Sequence, residues 1–359
     1  MKQDGNLDVF FLGDIYFGEW HMRLRAKKGK YNVLKEKGYL HFGKNFEEML
    51  SNGDEVIANL ECAITDIPVS PLESTNKRHI YSAREEGTFK ALKALSVSTL
   101  LLANNHTVDY GQDGLKDTLA AIKRNGINAI GAGIDEETAS QAHFLEKKID
   151  DLVFTMAIIS VYNYTSRSDR WGFYAKGLVP GVNALDAKKI EKQIKQLKQE
   201  NNELCLLLSP HWGSNYAWRS YSQQQMGQSL INAGVDLIVG HSAHMFQEVE
   251  YYKNKLIVYS IGNFIFNADG EYKKRNLPPY SFIARLNVQN IDNSLQKKMM
   301  LYPFLCCNKE IDFTLRFVNA EEFEHIIMII KSHNFDMESA GKLFEYGKDQ
   351  YGYYIEYNV

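Results

Sequence analysis

Along this chain, short runs of apolar and β-branched residues end abruptly on a glycine or a polar side chain, and helical stretches separate them. Residues 8–12 form the first such run, which stops at Gly13 and Asp14. An apolar run without alternation predicts a strand covered on both faces. Residues 55–58 predict a second strand, ending in Asn59, Leu60 and Glu61, and 98–103 a third, ending in Asn104, Asn105 and His106. Further strands are predicted at 128–130, 152–160, 203–208, 235–239 and 256–260, with helices at 89–95, 115–124, 136–146, 186–199 and 222–233. This alternation argues for βαβ units with parallel strand neighbours. Residues 16–46 have no clean period, and 161–181, rich in Tyr, Ser, Arg and Gly, read as a loop that covers or shapes a site. Residues 281–288 and 299–305 predict later, antiparallel strands, and the tail from Ala320 predicts two short helices and an aromatic terminus. The expected organisation is one α/β domain over 1–310, with a helical extension over 311–359 packed on it.

The polar residues that end these runs are a selected set. Five predicted strand ends carry Asp14; Glu61; Asn105 with His106; His211; and His241 with His244. In an open α/β sheet, ligands collect at the carboxyl ends of the strands. Any one of these residues alone is equally readable as a cap or a packed core side chain, but four of the ten histidines falling at strand ends is a concentration that points to a shared centre. Carboxylate, amide and imidazole donors suit Mn²⁺, Fe²⁺, Zn²⁺ or Ni²⁺, one ion or two. Two ions about 3.5–4 Å apart clamp an in-line displacement at phosphorus. His106 is the candidate acid for the leaving group, because Asn105 beside it offers a carbonyl to metal while the imidazole faces substrate. Asp109, three residues on, orients that imidazole or else caps the following helix. Gly240 is expected to let the chain turn between the strand and the histidine pair.

Composition narrows the partners. The chain has 359 residues, 45% of them apolar, enough for a large core, and a formal net charge of -3. That charge leaves no overall basic field, which argues against nucleic acid. Arg84, Arg167, Arg170 and Arg219 lie in or beside loops, where they read as contacts for an anionic small molecule or polymer or as solvated surface charges. The four cysteines have no zinc spacing and form no disulfide framework, and no apolar run approaches a membrane span. A cytoplasmic location is expected.

The motifs Asn104-Asn105-His106-x-x-Asp109-x-Gly111-x-x-Gly114-Leu115, Gly131-Ala-Gly133, His211-Trp-Gly213, Gly240-His241-x-x-His244 and Tyr259-Ser-x-Gly262-Asn263-Phe264 occur in the order found in CapA-type proteins. Over about residues 9–266 the chain resembles these poly-γ-glutamate capsule biosynthesis proteins, which are similar in fold to calcineurin-like metallophosphoesterases. The resemblance implies a four-layer α/β/β/α sandwich with a dimetal centre held by Asp14, Glu61, Asn105, His211, His241 and His244, Glu61 bridging. It also marks departures. Tyr16 stands where a metal-binding histidine is usual, Ser214-Asn215 where an acidic residue is common, and Ser242-Ala243 in place of His-Pro. Three functions are implied: a metal-dependent, phosphoesterase-like hydrolase linked to capsule or surface-polymer synthesis; a non-catalytic assembly or binding factor within a biosynthetic complex; or a γ-glutamyl amide hydrolase or transferase.

Overall fold

The computed structural model describes residues 5–333 and 344–359. Two β-sheets lie face to face. The first has ten strands, ordered Glu345–Lys348, Tyr353–Asn358, Ser294–Leu305, Tyr280–Ile291, Asn6–Tyr16, Glu55–Leu60, Thr99–Leu101 and Asn128–Ile130. Asn263–Phe266 pairs beside Asn6–Tyr16, and Arg316–Phe317 beside Ser294–Leu305. The second has seven, with Leu152–Asn163, Cys205–His211, Leu237–Val239 and Lys255–Val258 running parallel at its centre.

Strands covered on both faces must be uniformly apolar, and the packing shows why. One face of the first sheet (Val9, Phe11, Ile57, Leu101) meets Ile158, Leu207, Leu237 and Val258 of the second. Its other face (Phe10, Leu12, Val56, Leu100) is covered by Phe89 and Leu92 of helix Glu85–Ala94 and by Leu115 and Ile122 of helix Gly111–Arg124. The outer face of the second sheet (Ile159, Leu206, Leu208, Ile257) takes Ile190, Ile194 and Leu197 of helix Ala187–Glu200 and Leu230 and Ile231 of helix Tyr221–Ala233. Three apolar interfaces therefore separate four layers, the α/β/β/α sandwich that the motifs implied.

Several sequence expectations are corrected. Residues 136–146 are not one helix: helix Glu136–Ser140 ends before an edge strand, His143–Ile149, which turns back into Leu152–Asn163. Asp150, with φ 53°, makes that tight turn, which propensity in the charged 136–151 segment concealed. Among the described residues the tail is helical only over Ala320–His333; Glu345–Lys348 and Tyr353–Asn358 are strands that extend the first sheet, with Ile355 and Tyr357 facing the inter-sheet core. The first strand does not stop at Gly13 but continues to Tyr16, with its pairing register shifting around Asp14.

Candidate metal centre

Asp14 is aimed by that register shift. A Cβ on Gly13 would lie 2.0 Å from the Gly262 carbonyl, so only glycine lets the two backbones approach, and the Asp14 amide donates to that same carbonyl at 3.1 Å. Gly240 is likewise needed for space, since its Cβ would lie 2.1 Å from the Tyr259 carbonyl. The left-handed residues of the histidine loop are instead Ser242 (φ 96°) and His244 (φ 56°), so the turn begins two residues further on than expected. His211 and His241 pair as a parallel bridge, which sets two imidazoles side by side at the ends of adjacent strands.

The predicted residues converge. His241 Nδ1 lies 3.5 Å from Asp14 Oδ1, and His244 Nδ1 3.6 Å from Asp14 Oδ2. His106 Nε2 and His211 Nε2 lie 3.8 and 3.9 Å from Glu61 Oε1. Asp14, Glu61 and His244 offer ligand atoms all within 4.8 Å of one another. Asn105 Oδ1 and His211 Nε2 are 2.8 Å apart. Asp109 Oδ2 accepts from His106 Nδ1 at 2.6 Å and from the Tyr81 amide at 2.7 Å.

The polar bookkeeping of this cluster is incomplete. Asp14 Oδ2, both oxygens of Glu61 and both ring nitrogens of His241 are buried without a hydrogen-bond partner. Each unpartnered buried polar group costs about 1–3 kcal/mol, more if charged, and five of them belong to just three side chains, Asp14, Glu61 and His241. Electrostatics agree with an environment made for a cation. Burial, and next the charge of Asp14, raises Glu61 well above the usual carboxylate range. Burial opposes ionisation of Asp14 as well, yet the His241, His211 and His244 imidazoles keep it below its ordinary value. Burial pushes His211 down to about 3, so its ring is neutral and has a lone pair to offer. The residues present therefore fit a divalent ion.

Sequence reasoning missed the residues that hold these ligands. Asn59 Nδ2 donates to Asp14 Oδ1 at 2.7 Å, while its Oδ1 accepts from Asn104 Nδ2 at 3.1 Å. Asn263 Oδ1 pairs with His244 Nδ1 at 2.8 Å, and Tyr272 OH donates to the His244 carbonyl at 2.7 Å, supporting the left-handed residue. Tyr81 stacks on His106 with centroids 4.2 Å apart. Tyr16, the departure from the usual histidine, is not aimed at the cluster: its ring stacks on Tyr81 at 4.3 Å, and its hydroxyl accepts from the Trp20 amide at 3.0 Å.

The cluster opens into a cleft of about 1300 Å³, with Asn105, His106, Tyr81 and His244 on its wall. Lys28, Lys30, Arg78, Arg167 and Arg170 also line it, and among the described residues none of these five makes an ion pair. The two carboxylates of the lining, Asp269 and Glu271, are paired with Arg25 and Arg275. Of the arginines singled out in sequence, Arg167 and Arg170 thus face the cleft, whereas Arg219 is tied to Glu250 and Arg84 lies outside the lining. Among the described residues, no helix is long and apolar enough to cross a membrane.

Comparison with known proteins follows the same residues. The chain is 29% identical over 265 residues to the PGA biosynthesis protein CapA of Bacillus subtilis, covering 74% of this chain and 64% of that one. It is 28% identical over 231 residues to a probable polyglutamine synthesis accessory protein of Mycobacterium tuberculosis, covering 60% of each. It therefore spans less than two thirds of the length of these relatives. A solved structure of the calcineurin-like phosphoesterase YfkN from Bacillus subtilis superposes with a TM-score of 0.48 at 13% identity, covering 94% of this chain and 99% of that one. Residues 8–268, which hold every side chain of the cluster, match the bacterial capsule synthesis protein PGA_cap family, and the chain belongs to that family.

Proposed function

We propose that this chain is a metal-dependent hydrolase, phosphoesterase-like in its chemistry, that acts on an anionic substrate during synthesis of a capsule or surface polymer. The observation that carries the reading is the set of orphaned buried atoms on Asp14, Glu61 and His241. A buried carboxylate with no donor on either oxygen, set beside a second carboxylate and imidazoles, calls for a partner such as a cation. Asp14, Glu61, Asn105, His211, His241 and His244 would hold one or two divalent transition ions. A bound ion supplies Lewis acidity that polarises a phosphoryl or acyl oxygen and favours attack by water.

The remaining steps belong to the chain's own side chains. Lys28, Lys30, Arg78, Arg167 and Arg170 draw an anion into the cleft and position it over the cluster. His106 moves the proton. Its Nδ1 hydrogen is committed to Asp109, and burial together with Lys77 pushes the imidazole well below its ordinary pKa. Nε2 therefore carries a lone pair at rest and must first take up a proton from solvent in the cleft before it delivers that proton to a leaving group. Stacked between Tyr81 and the cleft, the ring is held in one orientation for that exchange.

A second reading, a non-catalytic factor that binds a polyanion through the same centre, is favoured by one observation: Tyr16 offers no ligand where a histidine is usual. The relatives' names, which speak of biosynthesis and accessory roles, fit either reading. Loading the protein with Mn²⁺, Zn²⁺, Fe²⁺ or Ni²⁺ and screening phosphomonoesters, phosphodiesters and γ-glutamyl peptides separates them. The hydrolase reading predicts turnover of one of these classes that His106→Ala abolishes. Stoichiometric metal with no turnover in any class would establish the binding reading instead.

A further inference from the structure

Residues 75–81 carry no periodicity and no motif, yet two of them, Lys77 and Tyr81, meet the Asp109 carboxylate. Asp109 is fully buried, and its two oxygens are divided. Oδ2 takes His106 Nδ1 and the Tyr81 amide; Oδ1 faces Lys77 Nζ at 3.2 Å. The same ammonium donates to the backbone carbonyl of Asn105 at 3.1 Å. Lys77 thus touches both the Asn105 carbonyl and the carboxylate that receives His106, and Asn105 and His106 both line the cleft.

A lysine this enclosed is unusual, since its charge must be met on every side. Its side chain is 8% exposed. The remaining directions are closed by aromatic faces, with Nζ 5.7 Å from the Trp171 ring centroid and 5.5 Å from that of Phe173. Those two rings come from the 161–181 segment that forms the far wall of the cleft, where Arg167 and Arg170 also sit. Cation–π attraction strengthens when the cation is desolvated, so the position of Lys77 depends on the wall.

We propose that Lys77 is a positioning residue: it holds Asp109 and the Asn105 carbonyl so that His106 keeps its orientation, and it is itself held by Trp171 and Phe173, which links the substrate-facing wall to the proton-handling imidazole. The proposal rests on the reading of His106 given above, but not on turnover. The alternative, a lysine that only fills space and neutralises charge, leaves the His106 hydrogen bond intact when the wall is altered.

The test reads that hydrogen bond directly. In protein labelled with ¹⁵N-histidine and loaded with diamagnetic Zn²⁺, the Nδ1–H resonance of His106, assigned by its absence in His106→Asn, is expected far downfield because of the short contact to Asp109. Lys77→Met should shift it upfield or broaden it away at unchanged far-UV circular dichroism; Lys77→Arg should retain it. Trp171→Ala, a change at a half-buried ring, should also shift it, and decides the matter if Lys77→Met does not fold. A wild-type resonance in Lys77→Met or in Trp171→Ala overturns the proposal, as does its loss in Lys77→Arg. Because no substrate is involved, absence of hydrolysis would refute the functional reading while leaving this result standing.

Discussion

Glu250 and Glu61 are both buried glutamates, and the chain treats them in opposite ways. Glu250, in strand Val249–Tyr252, accepts from Arg219 Nη1 at 2.9 Å, from the Tyr259 hydroxyl at 2.7 Å and from Gln228 Nε2 at 2.7 Å. Glu61, at the end of strand Glu55–Leu60, has no donor on either oxygen; the nearest imidazole nitrogens stand at 3.8 and 3.9 Å. Where a carboxylate serves the fold, donors from several elements surround it. Where it is left open among imidazoles and a second carboxylate, its surroundings have the chemistry of a cation site. The difference between the two sites is therefore a statement about function, and it can be broken experimentally.

The largest effect is expected from removing the open carboxylates. Asp14→Asn combined with Glu61→Gln should abolish Mn²⁺ binding measured by calorimetry, while Glu250→Gln should bind Mn²⁺ like the wild type. Next, His106→Ala should lower the turnover of any substrate found by about 10²–10⁴-fold and keep its metal; loss of the metal would show that His106 is a ligand and not the proton carrier. Glu250→Gln should in turn cost about 1.5–3 kcal/mol in urea unfolding, because the charge-assisted hydrogen bond from Arg219 is weakened. A cost near zero would mean that the satisfied cluster is not structural.

Proton linkage gives a smaller, graded effect. Glu61 has a folded-state pKa raised by burial, so in the metal-free protein its contribution to stability is present below its unfolded pKa and is lost as pH rises through the folded value. A cation needs the carboxylate and displaces that proton. Mn²⁺ affinity should accordingly keep rising with pH above the ordinary carboxylate range, by up to about tenfold per unit for one proton released, and Glu61→Gln should flatten that dependence. An affinity independent of pH would exclude Glu61 as a ligand. The smallest effect belongs to Tyr16→Phe, which loses one hydrogen bond to the Trp20 amide at a cost of about 1 kcal/mol; unchanged metal stoichiometry in this variant would separate Tyr16 from the ligands.

Much of this was legible because the ligands sit where buried strands end, and buried strands announce themselves as uninterrupted apolar runs. Asp14, Glu61, His211 and the 241–244 pair could be picked out for that reason. Lys77 and Tyr81 could not, because a loop segment acquires its meaning only when Asp109 is folded against it. Asn59 and Asn104 were visible at strand ends, but nothing local reveals that one amide bridges Asp14 to the other. The edge strand His143–Ile149 escaped because its polar and apolar residues follow a charged helical stretch, with only the Asp150 turn to separate it from Leu152–Asn163. At the carboxyl end, Ile355 and Tyr357 alternate into the core with the period of a strand, a signal that the surrounding tyrosines obscured.

The central claim is that the orphaned cluster is a metal site, and native mass spectrometry of the wild-type chain after dialysis against Mn²⁺ tests it most directly. The account predicts a mass shift of one or two ions per chain that the Asp14→Asn, Glu61→Gln variant lacks. A wild-type mass with no bound ion, or an equal shift in the variant, would contradict it.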